Sequence, residues 1–512
     1  MIFNNKKIGV KQMVRGSGIL AIIILGGAIM TFFGKNMTMP DEKVRHPGVA
    51  GSFYPGDSTA LSEMVLQLLK QAKPPAIKGT IIGLISPHAG YVYSGQVAAH
   101  GYNLLKNRPI QRVVVISPSH ITAFSGSAVY NGSAYRTPLG RIPVDIDFCR
   151  KLAAQHPSIM LSSEGHDTQK QGRMEHALEV QLPFLQRVID DFMLVPIVMG
   201  DQNYETCRAL GIALSKMITN EKTVIVASSD LSHFHPYSEA VRLDQKVLTA
   251  IQEWDHLNLA RNINNRLWEA CGGGPIVATM IAAERLGANQ AQIIKYANSG
   301  DVPIGEKNSV VGYTSAVFYR NNSEASGHDF DFILSKKEQE HLLDIARKSV
   351  ELAVREGKRY EYSAGGFESL EKDRGAFVTL NEDERLRGCI GYTSAVQPLC
   401  QTVQSAAISA ALKDPRFSPV NKSELKKLSY EISVLSPFQR MNDIKQIKIG
   451  KHGLLIKKGS YEGLLLPQVA TDNQWDTLTF IQHTCRKAGL PLDAWKDEDT
   501  DIFLFSAFVF GE

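Results

Sequence analysis

Three apolar runs of this chain, rich in Val and Ile, each stop at a Ser/Pro-led loop that carries a histidine. Residues 79–85 run into Ser86-Pro87-His88, residues 112–116 into Ser117-Pro118-Ser119-His120, and residues 223–227 into Ser228-Ser229-Asp230-Leu231-Ser232-His233. A short apolar run without polar alternation reads as a strand buried on both faces, the mark of a parallel sheet. In open α/β sheets, ligands sit in the crevice beyond the carboxyl ends of the strands. Imidazoles 88, 120 and 233, delivered to one such edge, can converge on a single ion. The pattern points to a mononuclear metal centre.

Cys271, in Glu269-Ala270-Cys271-Gly272-Gly273-Gly274, is a fourth candidate. Its glycines permit close backbone approach and open a helix whose N-terminal dipole is expected to lower the thiol's pKa. A thiolate there can ligate a metal or act as a nucleophile. A helix is expected over 175–189, which places Glu175 and Glu179 one turn apart on one face, as solvated acids or as carboxylates of the site. His235, two residues after His233, shares its face if the segment is extended.

At 512 residues the chain is too long for one ordinary core. Helical patterns over 58–71, 94–106, 145–155, 204–219, 238–253 and 274–286 alternate with the strands, which implies βαβ units in an α/β domain over 44–320, its mainly parallel or mixed sheet carrying helices on both faces. The polar stretch 321–329 reads as a linker. Beyond it, 330–512 reads as a smaller α+β domain. It opens on a helix over 335–355 with Ser335 as N-cap and Glu338 completing a capping box, and continues with a hairpin turning at 381–385, a helix over 396–412, a strand over 429–435, a hairpin over 453–466 and a helix over 476–488.

The first 43 residues differ. Lys6, Lys7, Lys11 and Arg15 precede the uncharged stretch 16–34, and Lys35 closes it. At about 1.5 Å per residue this stretch is close to 30 Å long as a helix, enough to cross a hydrocarbon core. The basic flank is expected on the cytoplasmic side, with a membrane-anchored, extracytoplasmic body. The rival is a cleaved signal peptide and a secreted or periplasmic protein.

A net charge of +4 gives no electrostatic case for nucleic acid, and Lys445, Lys448, Lys451, Lys457 and Lys458 read as solvated faces of a hairpin. Six scattered cysteines without a CxxC exclude a zinc ribbon and an iron–sulfur cluster. There is no GxSxG elbow, and Glu306 stands where a P-loop following residues 300–305 would need lysine, so neither a serine hydrolase nor a nucleotide site is expected.

The segments His46–Pro55 (HPGVAGSFYP), Ser86–Gly95 (SPHAGYVYSG), Ser117–His120 (SPSH), Ser228–His233 (SSDLSH) and Cys271-Gly272, with the Glu175 region between them, resemble the Memo family in order across 44–320. That family is similar in fold to the LigB-type extradiol dioxygenases, which hold non-haem Fe(II) with two histidines and a carboxylate. The resemblance implies His88, His120 and Cys271 as ligands to iron or copper, with Asp230, His233 and Glu175 as candidate catalytic groups in the same pocket. Cysteine in place of the dioxygenases' glutamate favours softer ions and argues against ring cleavage. Residues 330–512 resemble the AMMECR-type domain through Leu386–Tyr392 (LRGCIGY), Asp414–Phe417 (DPRF), Glu431–Pro437 (EISVLSP), Gly450–Gly453 (GKHG) and Gly463–Ala470 (GLLLPQVA). From the residues there, Arg387, Cys389, Arg416, His452 and Gln468 are expected to line a polar pocket for a small anion. Both resemblances together imply an AmmeMemoRadiSam-type system with a separate radical-SAM partner. Its metal protein is either an oxidoreductase acting on an unidentified small molecule or a non-catalytic metal-binding scaffold.

Overall fold

In the computed structural model, which describes residues 43–167, 169–170, 173–321, 333–383 and 385–512, the apolar runs pair side by side. Thr80–Ser86 (β1), Arg112–Pro118 (β2), Ser127–Val129 (β3), Ile159–Leu161 (β4), Met193–Met199 (β5), Thr223–Ser228 (β6), His233–His235 (β7), Gln290–Asn298 (β8) and Val310–Arg320 (β9) form one sheet. Its order is β7-β9-β1-β6-β2-β5-β3-β4, with β8 on β9. The four central strands β1, β6, β2 and β5 are parallel, while β9 and β3 flank them antiparallel. The sheet is therefore mixed.

Alternation along β1 shows how both faces are covered. A Cβ on Gly83 would meet Thr279 of helix Gly273–Arg285, whereas Leu84, the next residue, packs on Gly101 of helix Tyr91–Asn103. Successive strand residues point to opposite faces, so the two helices lie on opposite sides. β2 is buried at every position but the first, as a strand between two helical layers must be.

The second set of strands, Ala376–Glu382 (β10), Arg385–Tyr392 (β11), Leu428–Leu435 (β12), Gln439–Arg440 (β13), His452–Lys458 (β14), Tyr461–Leu465 (β15) and Asp501–Gly511 (β16), makes an antiparallel sheet ordered β11-β10-β12-β16-β14-β15, with β13 on β16. Helix Lys336–Glu356 starts at the expected Ser335/Glu338 capping box and ends at Gly357, whose φ of 69° is the left-handed stop. The last strand was not foreseen, although it joins β12 to β14.

Two expectations change. The helix expected over 175–189 is reduced to a 3-10 turn, Glu179–Gln181, and helix Leu182–Val188, with Pro183 in its first turn; proline fits a first turn and breaks an interior. Glu175 thus precedes the helix and does not share a face with Glu179. The expected membrane anchor is corrected: among the described residues no helix is long and apolar enough to cross a membrane, and the stretch 16–34 lies outside them. The N-terminal hydrophobic helix, the membrane as partner and the membrane-anchored localisation were expected from that same stretch, and no described helix carries them. All but the first residue of the 321–329 linker also lies outside the described residues.

The two sheets are joined by a mixed interface. Leu257, in helix His256–Asn264 of the first domain, packs with Leu435, Phe438, Leu455, Phe503 and Phe505 of the second domain. Asp501, 3% exposed, pairs with Arg208 and lies 3.5 Å from both Arg285 and Arg440. Burial alone would raise its pKa, but the arginines, Arg208 foremost, hold it below the ordinary 3.8. Removing one charge from such a buried set costs about 3–5 kcal/mol. Asp501→Asn is therefore expected to lower stability at pH 7 by that order in urea unfolding. Because the folded pKa is depressed, the stabilisation is complete above the ordinary value of 3.8 and fades as the pH falls below it. The gap between variant and wild type should close in acid.

Candidate metal centre

Register brings the loops together. Ser86 stands opposite Ser228, and Pro118 opposite Met199, so β1, β6, β2 and β5 end at a common edge. His88 and His120 each follow their strand by two residues. Cys271 arrives from the other side of the β6 end, where Gly272 lies so close that a Cβ would fall 2.1 Å from the Ser228 carbonyl oxygen. Only glycine allows the turn to press that near.

His88 Nε2, His120 and Cys271 Sγ offer ligand atoms within 4.8 Å of one another, and Cys271 Sγ lies 3.1 Å from His88 Nε2. The His88 and His120 ring centroids are 5.1 Å apart. A buried hydroxyl selects the His88 tautomer. Ser228 Oγ donates to the Ala177 carbonyl at 2.6 Å and accepts from Gln181 Nε2 at 2.8 Å. With its one proton committed, it accepts from His88 Nδ1 at 2.8 Å, which leaves the Nε2 lone pair facing Cys271. His120 is oriented likewise: its Nδ1 lies 3.0 Å from Glu175 Oε1, and its backbone N–H donates to Oε2 at 2.5 Å. Ordered imidazole ligands carry such a partner on the far nitrogen.

Burial and the neighbouring imidazoles press His88 well below 6.5, so it is neutral. For His120 burial acts in the same direction, but the Glu175 carboxylate outweighs it and holds the ring above 6.5. The same bond, reinforced by backbone N–H donors, brings Glu175 down to about 2 against its own burial. Burial pushes the Cys271 thiol up, and Asp230 adds to the effect. The helix terminus expected to lower it does not prevail, so the metal-free sulfur is a thiol whose S–H is well placed to donate to His88 Nε2. A bound cation would deprotonate it.

The other expected residues divide. Asp230 accepts from the His88 backbone N–H at 2.8 Å and its Oδ2 is 3.8 Å from His88 Nε2; burial raises its carboxyl. His233 does not join the ligand cluster: its Nδ1 donates to the Leu231 carbonyl at 2.8 Å. Phe234, at φ 63°, interrupts the extended alternation, and His235 turns to Glu269 at 2.9 Å. His176 was not singled out, yet its ring is stacked 4.9 Å from that of His120, and His120, Glu175 and His176 form a second group of ligand-type atoms. Glu179 is buried in a different network, with Arg45, the Tyr54 hydroxyl at 2.5 Å and the N–H groups of Gly48 and Val49.

In the second sheet, Arg387 pairs with Glu424 at 2.7 Å, while Asp414 holds Arg416 at 2.7 Å and the Cys389 N–H at 2.8 Å. His452 is on β14, four strands from the β11 that carries Arg387 and Cys389, or about 19 Å at ordinary strand spacing. Gln468 sits in helix Pro467–Asp472, beside β14. Arg387 and Cys389 thus lie toward one end of the strand order, and His452 and Gln468 toward the other.

Residues 45–317, more than half of the chain, match the family model described as Memo-like protein, and residues 343–510 match the one described as AMMECR1. A MEMO1 family protein of Methanocaldococcus jannaschii is 38% identical over 292 residues, covering 54% of this chain and 99% of the relative. Another, of Methanopyrus kandleri, is 34% identical over 287 residues with the same coverage. Among solved structures, an uncharacterized protein of Pyrococcus horikoshii is 40% identical, covers 35% of this chain and 94% of its own, and has a TM-score of 0.34. No observation supports the radical-SAM partner implied by the resemblance, and that expectation is withdrawn.

In the metal-free chain, ring-nitrogen NMR titration should find His120 with a pKa above 6.5. In Glu175→Gln, where burial acts without the carboxylate, it should fall below that value. A wild-type ring that already titrates low would refute the assigned pairing.

Proposed function

The chain belongs to the Memo family and carries an AMMECR1-type domain behind it, and from that premise we propose that His88, His120 and Cys271 hold a single iron or copper ion. The observation that carries this reading is the convergence of two imidazole nitrogens and one sulfur within 4.8 Å. Ligands on bonds of about 2.0–2.3 Å lie no more than about 4.6 Å apart across a shared centre, so the donor set fits an ion with little adjustment. One thiolate and two imidazoles suit iron or copper better than hard, oxygen-seeking cations.

When bound, such an ion would supply one-electron redox or Lewis-acid chemistry. The chain's residues do the rest. Ser228 and Glu175 fix the two rings, and Asp230 is placed to take or give a proton beside the ligands. His120, whose side chain is 30% exposed, is the ligand nearest to solvent and marks the side from which a small molecule would approach. We assign the domain a metal-dependent oxidoreductase role. A second reading, in which the ion is held without turnover, is favoured by the sulfur ligand, which departs from the carboxylate of oxygen-activating facial triads.

Elemental analysis of the anaerobically purified chain should give about one ion per chain for wild type and a loss of at least tenfold for Cys271→Ala and His88→Ala. Glu175→Gln, which leaves all three ligands in place, should weaken binding by about 10–100-fold. Full metal content in Cys271→Ala would end the proposal. Oxygen uptake with catechols and related phenols separates the two readings, since a holding site consumes none.

A further inference from the structure

The second domain contains a cavity of about 470 Å³ between the end of β11, the loop after it, and helix Leu399–Leu412. Its chemistry is one-sided. Arg359 and Lys413 line it with the hydroxyls of Tyr392, Thr393, Ser405 and Ser409, and no aspartate or glutamate is among the lining residues. Ser405, Ser409 and Lys413 follow one another at four-residue intervals, so they share one face of the helix and its cap. Tyr392 and Ser409 are hydrogen-bonded at 3.1 Å and offer a joined pair of hydroxyls.

The contrast with neighbouring cations is informative. Arg387 and Arg416 each have their own carboxylate at 2.7 Å. Arg359 and Lys413 are both exposed, and among the described residues neither takes part in an ion pair with a side chain. Two unneutralised cations beside a row of hydroxyl donors match a group with two charges and several acceptor oxygens, which describes a phosphate monoester better than a single carboxylate. Val396, Ile408 and the Tyr392 ring supply an apolar wall for an organic body, and the volume falls within the range of small-molecule sites. We infer that this cavity binds a small phosphate monoester, with its phosphate between Arg359 and Lys413 and its body against Tyr392 and Ile408.

The test is calorimetry on the full chain with adenosine 5′-monophosphate, glucose 6-phosphate and phenyl phosphate, each against its dephosphorylated counterpart. It is repeated on the double variant Arg359→Gln/Lys413→Gln, whose exposed positions leave the fold intact. At least one phosphorylated probe should bind, with its counterpart weaker by about tenfold or more. The double variant should lose a similar factor. The inference is overturned if none of the three binds at millimolar concentration, or if binding is indifferent to the phosphate or to the two substitutions. Phosphate captured at the metal cluster would survive the double substitution and so also counts against it.

Discussion

Everything at the candidate centre depends on four parallel strands ending level. Ser86 pairs with Ser228 and Pro118 with Met199. A slip of one residue would turn every side chain of the shifted strand to the opposite face. The Val and Ile runs guard against this because both faces are buried, so each strand has only one register that keeps its whole length apolar. The functional loops inherit a precision that no loop could achieve alone, since their starting points are fixed by the core.

Burial makes the polar groups around the cluster selective. An unpaired buried hydroxyl or imidazole costs free energy, and around His88 the partners are used economically: Ser228 Oγ is bonded to Ala177, Gln181 and His88 at once. That arrangement leaves His88 one tautomer. On His120 the Glu175 carboxylate has the same effect by charge. The outcome is two imidazoles with their lone pairs turned inward, beside a thiol kept protonated by the same dry surroundings. A cation entering such a site displaces the thiol proton, and one from His120 wherever the pH lies below that ring's raised pKa, so its capture should strengthen as pH rises.

The sequence exposed the strands and loops because a buried parallel strand has a distinctive composition, and the ligand loops follow directly from the strand ends. It could not show which of the nearby acids would serve the site. Glu175 and Glu179 look equivalent on a helical wheel, but Pro183 starts the helix after them; one orients His120 and the other neutralises Arg45. His233 looked equivalent to His88 and His120, yet the left-handed Phe234 and the Leu231 carbonyl set its direction. Local backbone of that kind leaves little trace in apolar periodicity. The final strand, Asp501–Gly511, was given no element although its Ile/Phe/Leu run is as apolar as the strands that were recognised; its place between two strands shows only in the fold.

The fusion of the two domains also reaches the centre. Trp268, three residues before Cys271, is 5% exposed and donates its indole N–H to Asp373 of the second domain at 3.2 Å, and Lys246 donates to the same carboxylate at 2.8 Å. Asn262, just upstream, donates to the Ala395 carbonyl at 3.1 Å. The segment that delivers the sulfur is therefore held at one end by Gly272 against β6 and at the other by the second domain. A loop pinned at both ends loses the freedom that loops usually keep. The second domain thus contributes to the candidate metal centre by limiting where Cys271 can be.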